Sequence, residues 1–166
     1  MPTVYLSVGS NIDPRQNLKL CANTLKKHLT NINWSPVFQS PAIGLHGADF
    51  LNAVVSAETS MSANDTDKLL KQIEKAQGRD HSKPRFSSRT LDLDLLLYDQ
   101  LIQNTPELTL PRDELYTQAF VLLPLVKLTS NLIDPVSQRT FQSILAEKAA
   151  SNADFIKDFK EIELTL

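Results

Sequence analysis

"RTLDLDLLL", residues 89–97, is a leucine-rich run of strand length that carries two carboxylates two positions apart, directly behind an arginine. Side chains alternate across a strand and each residue rises about 3.3 Å, so Asp92 and Asp94 share a face with their Cα atoms about 6.6 Å apart. Leu91, Leu93 and Leu95 then point the other way. Carboxylates at that spacing can share hard cations: Mg²⁺ takes one or two of them together with phosphate oxygens and water, and two ions about 3.5–4 Å apart fit such a pair. A lone D-x-D also suits a solvated strand face, so the surroundings decide.

Those surroundings are cationic. Residues 79–89, "RDHSKPRFSSR", set Arg79, Lys83, Arg85 and Arg89 against only Asp80, a local charge of +3 in a chain whose net charge is −2. Planar guanidinium groups can grip phosphate oxygens bidentately, so loop and strand together converge on one polyphosphate. Other nucleotide grips are missing. The four glycines, Gly9, Gly44, Gly47 and Gly78, form neither G-x-x-x-x-G-K-[ST] nor G-x-G-x-x-G. His28, His46 and His81 lack mutual metal-ligand spacing, there is no G-x-S-x-G, and Cys21 falls on an apolar helix face as a core thiol.

Outward from this stretch, the pattern mixes strands and helices. "TVYLSV" (3–8) reads as a strand ending in the turn "GSN". A helix follows over 13–29, with Asp13 as N-cap, Pro14 in the first turn and Gln16 completing a capping box. Residues 32–39 and 50–60 read as strands around the turn-rich "SPAIGLHGAD", which suits a binding loop. Residues 65–79 give a helix with Gly78 at its C-terminal cap. "QLIQN" (100–104) is expected beside the leucine strand, "AFVLLPLVKL" (119–128) as a short helix or buried segment interrupted by Pro124, and "TFQSILAEKAA" (140–150) as a helix. The stretch "FIKDFKEIELTL" is less legible. This order implies an α+β fold.

The totals restrict the function classes. At 166 residues with 42% apolar side chains a single domain, 1–166, is expected, with about 70% of the unfolded surface buried. The balance of 17 Lys plus Arg against 19 Asp plus Glu gives no general affinity for nucleic acid or anionic membrane. One cysteine forms no intrachain disulfide, and the N-terminal "MPTVYLSV" lacks signal-peptide character, so a cytoplasmic, soluble protein is expected. A monomer is the expected state.

"RFSSRTLDLDLL", together with "VGSN", "FLNAVV" and "QIEKAQGR" in that order, resembles the 6-hydroxymethyl-7,8-dihydropterin pyrophosphokinase family of the folate pathway, over residues 4–128. The resemblance implies a ferredoxin-like fold, a central antiparallel sheet with helices packed on it. It implies transfer of diphosphate from ATP to the pterin hydroxymethyl group, releasing AMP, with two Mg²⁺ ions. Asp92 and Asp94 match the metal-binding aspartates, and with Arg79 and Arg89 are the expected catalytic set. Glu74, Arg79, Arg85, Arg89, Leu95 and Thr109 match ATP-site positions. Ser40, Pro41, Ile43, Phe50, Asn52 and Phe120 match the pterin site, where Phe50 and Phe120 would sandwich the ring and the Asn52 amide would read its polar edge.

The chain departs from the resembled pattern mainly around ATP. Pro111-Arg112 stands where Pro-His is usual, Gln118 and His81 replace arginines, Ser87-Ser88 replaces Gly-Pro, Phe86 replaces tryptophan and Lys71 replaces glutamine. Arg112 is a candidate substitute for a lost positive group. No general base is evident; Asp92 is the nearest candidate to assist the attacking hydroxyl. The loops at 41–49 and 79–89 are expected to close over both substrates. The rival class is a non-catalytic paralogue that binds pterin or nucleotide as a regulator. A nucleic-acid-binding ferredoxin-like domain would want a basic face and sheet aromatics that the composition does not offer.

Overall fold

In the computed structural model, residues 1–41, 47–78 and 90–166 are described. The leucine-rich strand β5 (Asp92–Tyr98) lies at one end of a six-stranded sheet, in the order β5-β1-β4-β3-β8. Here β1 is Thr3–Ser10, β3 is Val37–Ser40, β4 is Phe50–Glu58 and β8 is Lys160–Ile162. β2 (Thr30–Trp34) pairs with the far half of β4. All pairings are antiparallel. Two β-α-β crossovers interlock to give this order. β1 runs through α1 (Pro14–Leu25) to the β2–β3 edge, skipping the place β4 takes, and β4 runs through α2 (Ala63–Ala76) to β5, skipping β1. This is the ferredoxin-like α+β arrangement.

The alternation of β5 divides its residues between two cores. Leu91, Leu93 and Leu95 pack with Val4, Leu6 and Val8 of β1 and with α1 and α2. Leu96 and Leu97 join the opposite core, with α4 (Ala119–Leu128) and α5 (Phe141–Ser151). The switch is a bulge: Tyr5 pairs with Leu97 but Leu6 with Leu95, leaving Leu96 as an extra residue. α4 and α5 cover only part of this second face. The remainder, at the Asp92 end of β5, is where the candidate site sits.

Several sequence expectations are corrected. The 32–39 strand is two, broken at Ser35-Pro36; Ser35 bridges the gap by accepting the Val54 N–H at its Oγ while its own N–H donates to the Val54 carbonyl. Asp13 is N-cap by position only. Its backbone is left-handed (φ 42°) and its side chain makes no cap hydrogen bond, so the capping box is absent, and α1 ends at Leu25 rather than 29. "QLIQN" does not lie beside β5: β6 (Gln103–Asn104) pairs with β7 (Thr109–Leu110) in a separate ribbon. Pro124 does not interrupt α4, although it lacks the N–H that would bond the Phe120 carbonyl. The 13–29, 65–79 and 140–150 helices are present with shifted ends, Gly78 follows α2 at φ 93°, and Cys21 is buried core. The illegible "FIKDFKEIELTL" ends in β8, paired to β3. Among the described residues no helix is long and apolar enough to cross a membrane.

Candidate active site

Two rows of the sheet set out the site. Directly paired residues of an antiparallel sheet project to the same face. Gly9 of β1 pairs with Asn52 on one side and Asp92 on the other, and Ser7 likewise stands between Val54 and Asp94. Val54 belongs to the α4 core, so Asn52, Asp92 and Asp94 share the face that α4 partly covers. With strands about 4.8 Å apart, the Asn52 and Asp92 backbones lie about 10 Å from each other across Gly9. A side chain at position 9 would fill that span: its Cβ would stand 2.8 Å from Asn52 Oδ1. Asn52 is 4% exposed and donates through Nδ2 to Ser40 Oγ at 2.9 Å.

Along the free edge of β5, helix α2 substitutes for a further strand. Glu74 Oε1 accepts the Leu93 N–H at 2.6 Å, and Lys71 Nζ donates to the Leu93 carbonyl at 3.1 Å. Glu74 is 1% exposed, which only such pairing makes tolerable for a carboxylate. The same anchoring brings Glu74 to Asp92 and Asp94, with carboxylate oxygens of all three within 4.8 Å of one another. Three convergent hard oxygen donors fit a divalent cation of the Mg²⁺ type. Asp94 Oδ1 also meets Lys71 Nζ at 2.7 Å and Arg112 Nη2 at 3.3 Å. Burial alone would lower the Lys71 and Arg112 pKa values, but Asp94, with Glu74 beside the lysine and Glu114 beside the arginine, outweighs it and holds both above their ordinary values.

Arg112 reaches this place because of the β5 bulge: its backbone N–H donates to the Leu96 carbonyl at 3.0 Å and fixes the segment between β7 and α3 (Glu114–Thr117). At the other end of the face, Ser40, Pro41 and Phe120 line a cavity of about 300 Å³ with Thr117, Gln118, Ala119, Phe155 and Phe159. Phe50 is half-buried and pairs with Ser40 from the neighbouring strand.

The structure thus brings together Glu74, Asp92 and Asp94, and separately Ser40, Pro41 and Phe120, with Asn52 tied to Ser40. Leu95 faces away from the carboxylates with Leu91 and Leu93, as strand alternation predicts. Its side chain is fully buried among β1 and the α1–α2 core, so it offers no side-chain surface to a ligand. Thr109 is exposed on β7, its hydroxyl 3.4 Å from Asn104 Oδ1. Arg79, Arg85, Arg89 and Ile43 lie outside the described residues, as do most of the two loops expected to close. Sequence reading missed Phe155 and Phe159, which carry no motif; Phe155 packs on the α4–α5 core, and Phe159 directly precedes β8, which pairs with β3. It also missed that Lys71 and Arg112 meet at one carboxylate.

An antiparallel ferredoxin-like sheet with a carboxylate cluster at one end of a face and an aromatic cavity at the other has the features of a small-molecule site beside a divalent-ion site. The family model described as 7,8-dihydro-6-hydroxymethylpterin-pyrophosphokinase (HPPK) matches residues 5–130, and the chain belongs to this family. It is 34% identical over 144 residues to the 2-amino-4-hydroxy-6-hydroxymethyldihydropteridine pyrophosphokinase of Haemophilus influenzae, covering 83% of this chain and 88% of that one. It is 33% identical to the enzyme of that name from Aquifex aeolicus, covering 89% and 92%. Among solved structures, Plasmodium falciparum HPPK-DHPS superposes with a TM-score of 0.75 at 12% identity, a likeness of fold. The match covers 99% of this chain and 48% of that one, so the chain spans about half its length.

Proposed function

We propose that this protein is a pyrophosphokinase of folate synthesis that transfers diphosphate from ATP to the hydroxymethyl group of 6-hydroxymethyl-7,8-dihydropterin, giving AMP and the pterin diphosphate. It acts as a cytoplasmic monomer with one domain, 1–166, on small-molecule substrates, with neither nucleic acid nor membrane as a partner. The observation that carries the reading is the Asn52–Gly9–Asp92 row, which sets an amide suited to a heterocycle edge about two strand spacings from a carboxylate cluster suited to divalent ions.

The residues divide the work. Asn52, locked by Ser40, donates to and accepts from the pterin's polar edge, while Phe120 and Phe50 offer aromatic faces to its ring. Asp92 and Asp94, with Glu74 beside them, would hold Mg²⁺, two ions in this reading, which when bound neutralises phosphate charge and orients the triphosphate. Arg79, Arg85 and Arg89 are proposed to gather the phosphates, with Thr109 and the backbone at Leu95 toward the nucleotide. The substrate hydroxyl attacks the β-phosphorus in line with AMP as leaving group, and Asp92 is the nearest candidate to assist loss of its proton. Phosphoryl transfer needs positioning and charge stabilisation more than covalent catalysis.

A second reading, a non-catalytic pterin or nucleotide binder, draws on one observation: both Lys71 and Arg112 already occupy Asp94. AMP formation from ATP, Mg²⁺ and 6-hydroxymethyl-7,8-dihydropterin separates the two. Turnover that disappears in Asp94→Ala and Arg89→Ala supports the enzyme. Pterin binding without AMP selects the binder, and full turnover in Asp94→Ala removes the metal assignment.

A further inference from the structure

Asp94 Oδ1 holds two cations from different parts of the fold, Lys71 of α2 at 2.7 Å and Arg112 of the β7–α3 connection at 3.3 Å. These are not loose surface pairs, for the three side chains are 37%, 30% and 17% exposed. One helical turn before Lys71, on the same face of α2, stands Asp67, whose Oδ1 is buried with no hydrogen-bond partner. Burial raises the Asp67 pKa, with Asp94 and Glu74 adding to it and Lys71 and Arg112 opposing. Arg112 Nε is 3.1 Å from Glu114 Oε2, yet its N–H has no in-line acceptor among the described residues. Around Asp94, then, are an arginine with an unused donor, a lysine whose three donors are shared among Asp94, Glu74 and the Leu93 carbonyl, and a second carboxylate with an unused oxygen.

We propose that Lys71 and Arg112 are resident counter-cations of Asp94 that keep divalent ions from the nucleotide-free protein and yield the carboxylate when nucleotide phosphates arrive. The inference rests on the reading of Asp92 and Asp94 as ion ligands. A divalent ion that takes this oxygen displaces two charged donors, and one that takes Asp94 Oδ2 still sits within a few ångströms of both, where like-charge repulsion in a half-buried site is only partly screened. A triphosphate changes the balance. It gives the Arg112 guanidinium phosphate oxygens to hold, while Asp67 Oδ1 gives Lys71 another acceptor on its own helix. Ion and nucleotide binding are therefore coupled, each strengthening the other by the same factor.

The test is Mn²⁺ binding to the full chain without nucleotide, read from the electron paramagnetic resonance of free Mn²⁺. Arg112→Gln and Lys71→Gln are expected to tighten binding by at least about tenfold, equivalent to about 1.4 kcal/mol. Because Lys71 also holds the Leu93 carbonyl, Arg112→Gln, which removes only side-chain contacts, decides if the lysine variant loosens β5. Unchanged or weaker Mn²⁺ binding in Arg112→Gln overturns the proposal. Asp94→Asn separates the two failures. If Arg112→Gln binds Mn²⁺ like wild type while Asp94→Asn still abolishes AMP formation, the counter-cation role alone fails; if Arg112→Gln tightens Mn²⁺ and Asp94→Asn added to it does not reverse the gain, the ion-ligand reading fails and the inference with it.

Discussion

Replacing Gly9 by alanine puts one methyl group between the two halves of the candidate site. The new Cβ would lie 2.8 Å from Asn52 Oδ1, and ordinary contact begins at 3.4 Å, so the amide must withdraw by about 0.6 Å. Asn52 has little room to do so. It is 4% exposed, flanked by β1 and β3, and tied to Ser40 Oγ at 2.9 Å. Overpacking of a tight interior costs about 1–3 kcal/mol, and a stretched buried hydrogen bond about 1 kcal/mol more. Urea unfolding of Gly9→Ala should therefore show a loss of about 2–3 kcal/mol. Calorimetric titration with 6-hydroxymethyl-7,8-dihydropterin should show affinity lower by about tenfold to a hundredfold, or about 1.4–2.8 kcal/mol. In an Asn52→Ala background the same methyl meets no amide, so its further effect on affinity should vanish, a coupling a double-mutant cycle reads directly. Wild-type pterin affinity in Gly9→Ala would refute the placement of Asn52 at the pterin edge.

Other expected outcomes follow from single contacts. Glu74→Ala leaves the Leu93 N–H and Lys71 without their buried acceptor, so it should destabilise by about 3–5 kcal/mol and speed amide exchange at Leu93 selectively. Burial works to raise the Asp134 carboxyl, but hydrogen bonds from Ser137, Tyr116 and the backbone N–H groups of Val136 and Ser137 outweigh it and hold its pKa below 3.8. Its stabilisation is therefore present above that pH and lost as pH falls below it; Asp134→Asn should cost about 1–3 kcal/mol at neutral pH and flatten the acid limb of the stability curve. Phe159→Ala removes one wall of the cavity shared with Ser40 and Phe120, so KM for the pterin should rise about tenfold with kcat less affected, measured by initial rates.

How far the sequence could be read depended on how local the cause was. The opposed faces of Asp92/Asp94 and Leu91/Leu93/Leu95 follow from strand alternation alone, and a helix read at 65–79 from its apolar spacing and the glycine near its end is found at Ala63–Ala76. Where a tertiary contact competed, local rules failed. Asp13 has the chemistry of an N-cap but a left-handed backbone, and Ser35-Pro36 splits a strand that alternation would have continued. Leu97 could not be assigned by alternation, because the bulge at Leu96 shifts it from the face of Leu91, Leu93 and Leu95 to the opposite core.

The sequence by itself determined which groups exist and which side of a strand each takes, since covalent periodicity sets these over two or three residues. It therefore determined the carboxylate pair, the cationic segment before it and the α+β order of elements. The tertiary structure decided what those groups face. The Asn52–Gly9–Asp92 row needs the register of three strands remote in the chain, and the meeting of Lys71, Arg112 and Asp94 needs α2 packed on an edge strand and a bulge that docks the segment after β7. Such distances are fixed by packing and register, which no local pattern of residues contains.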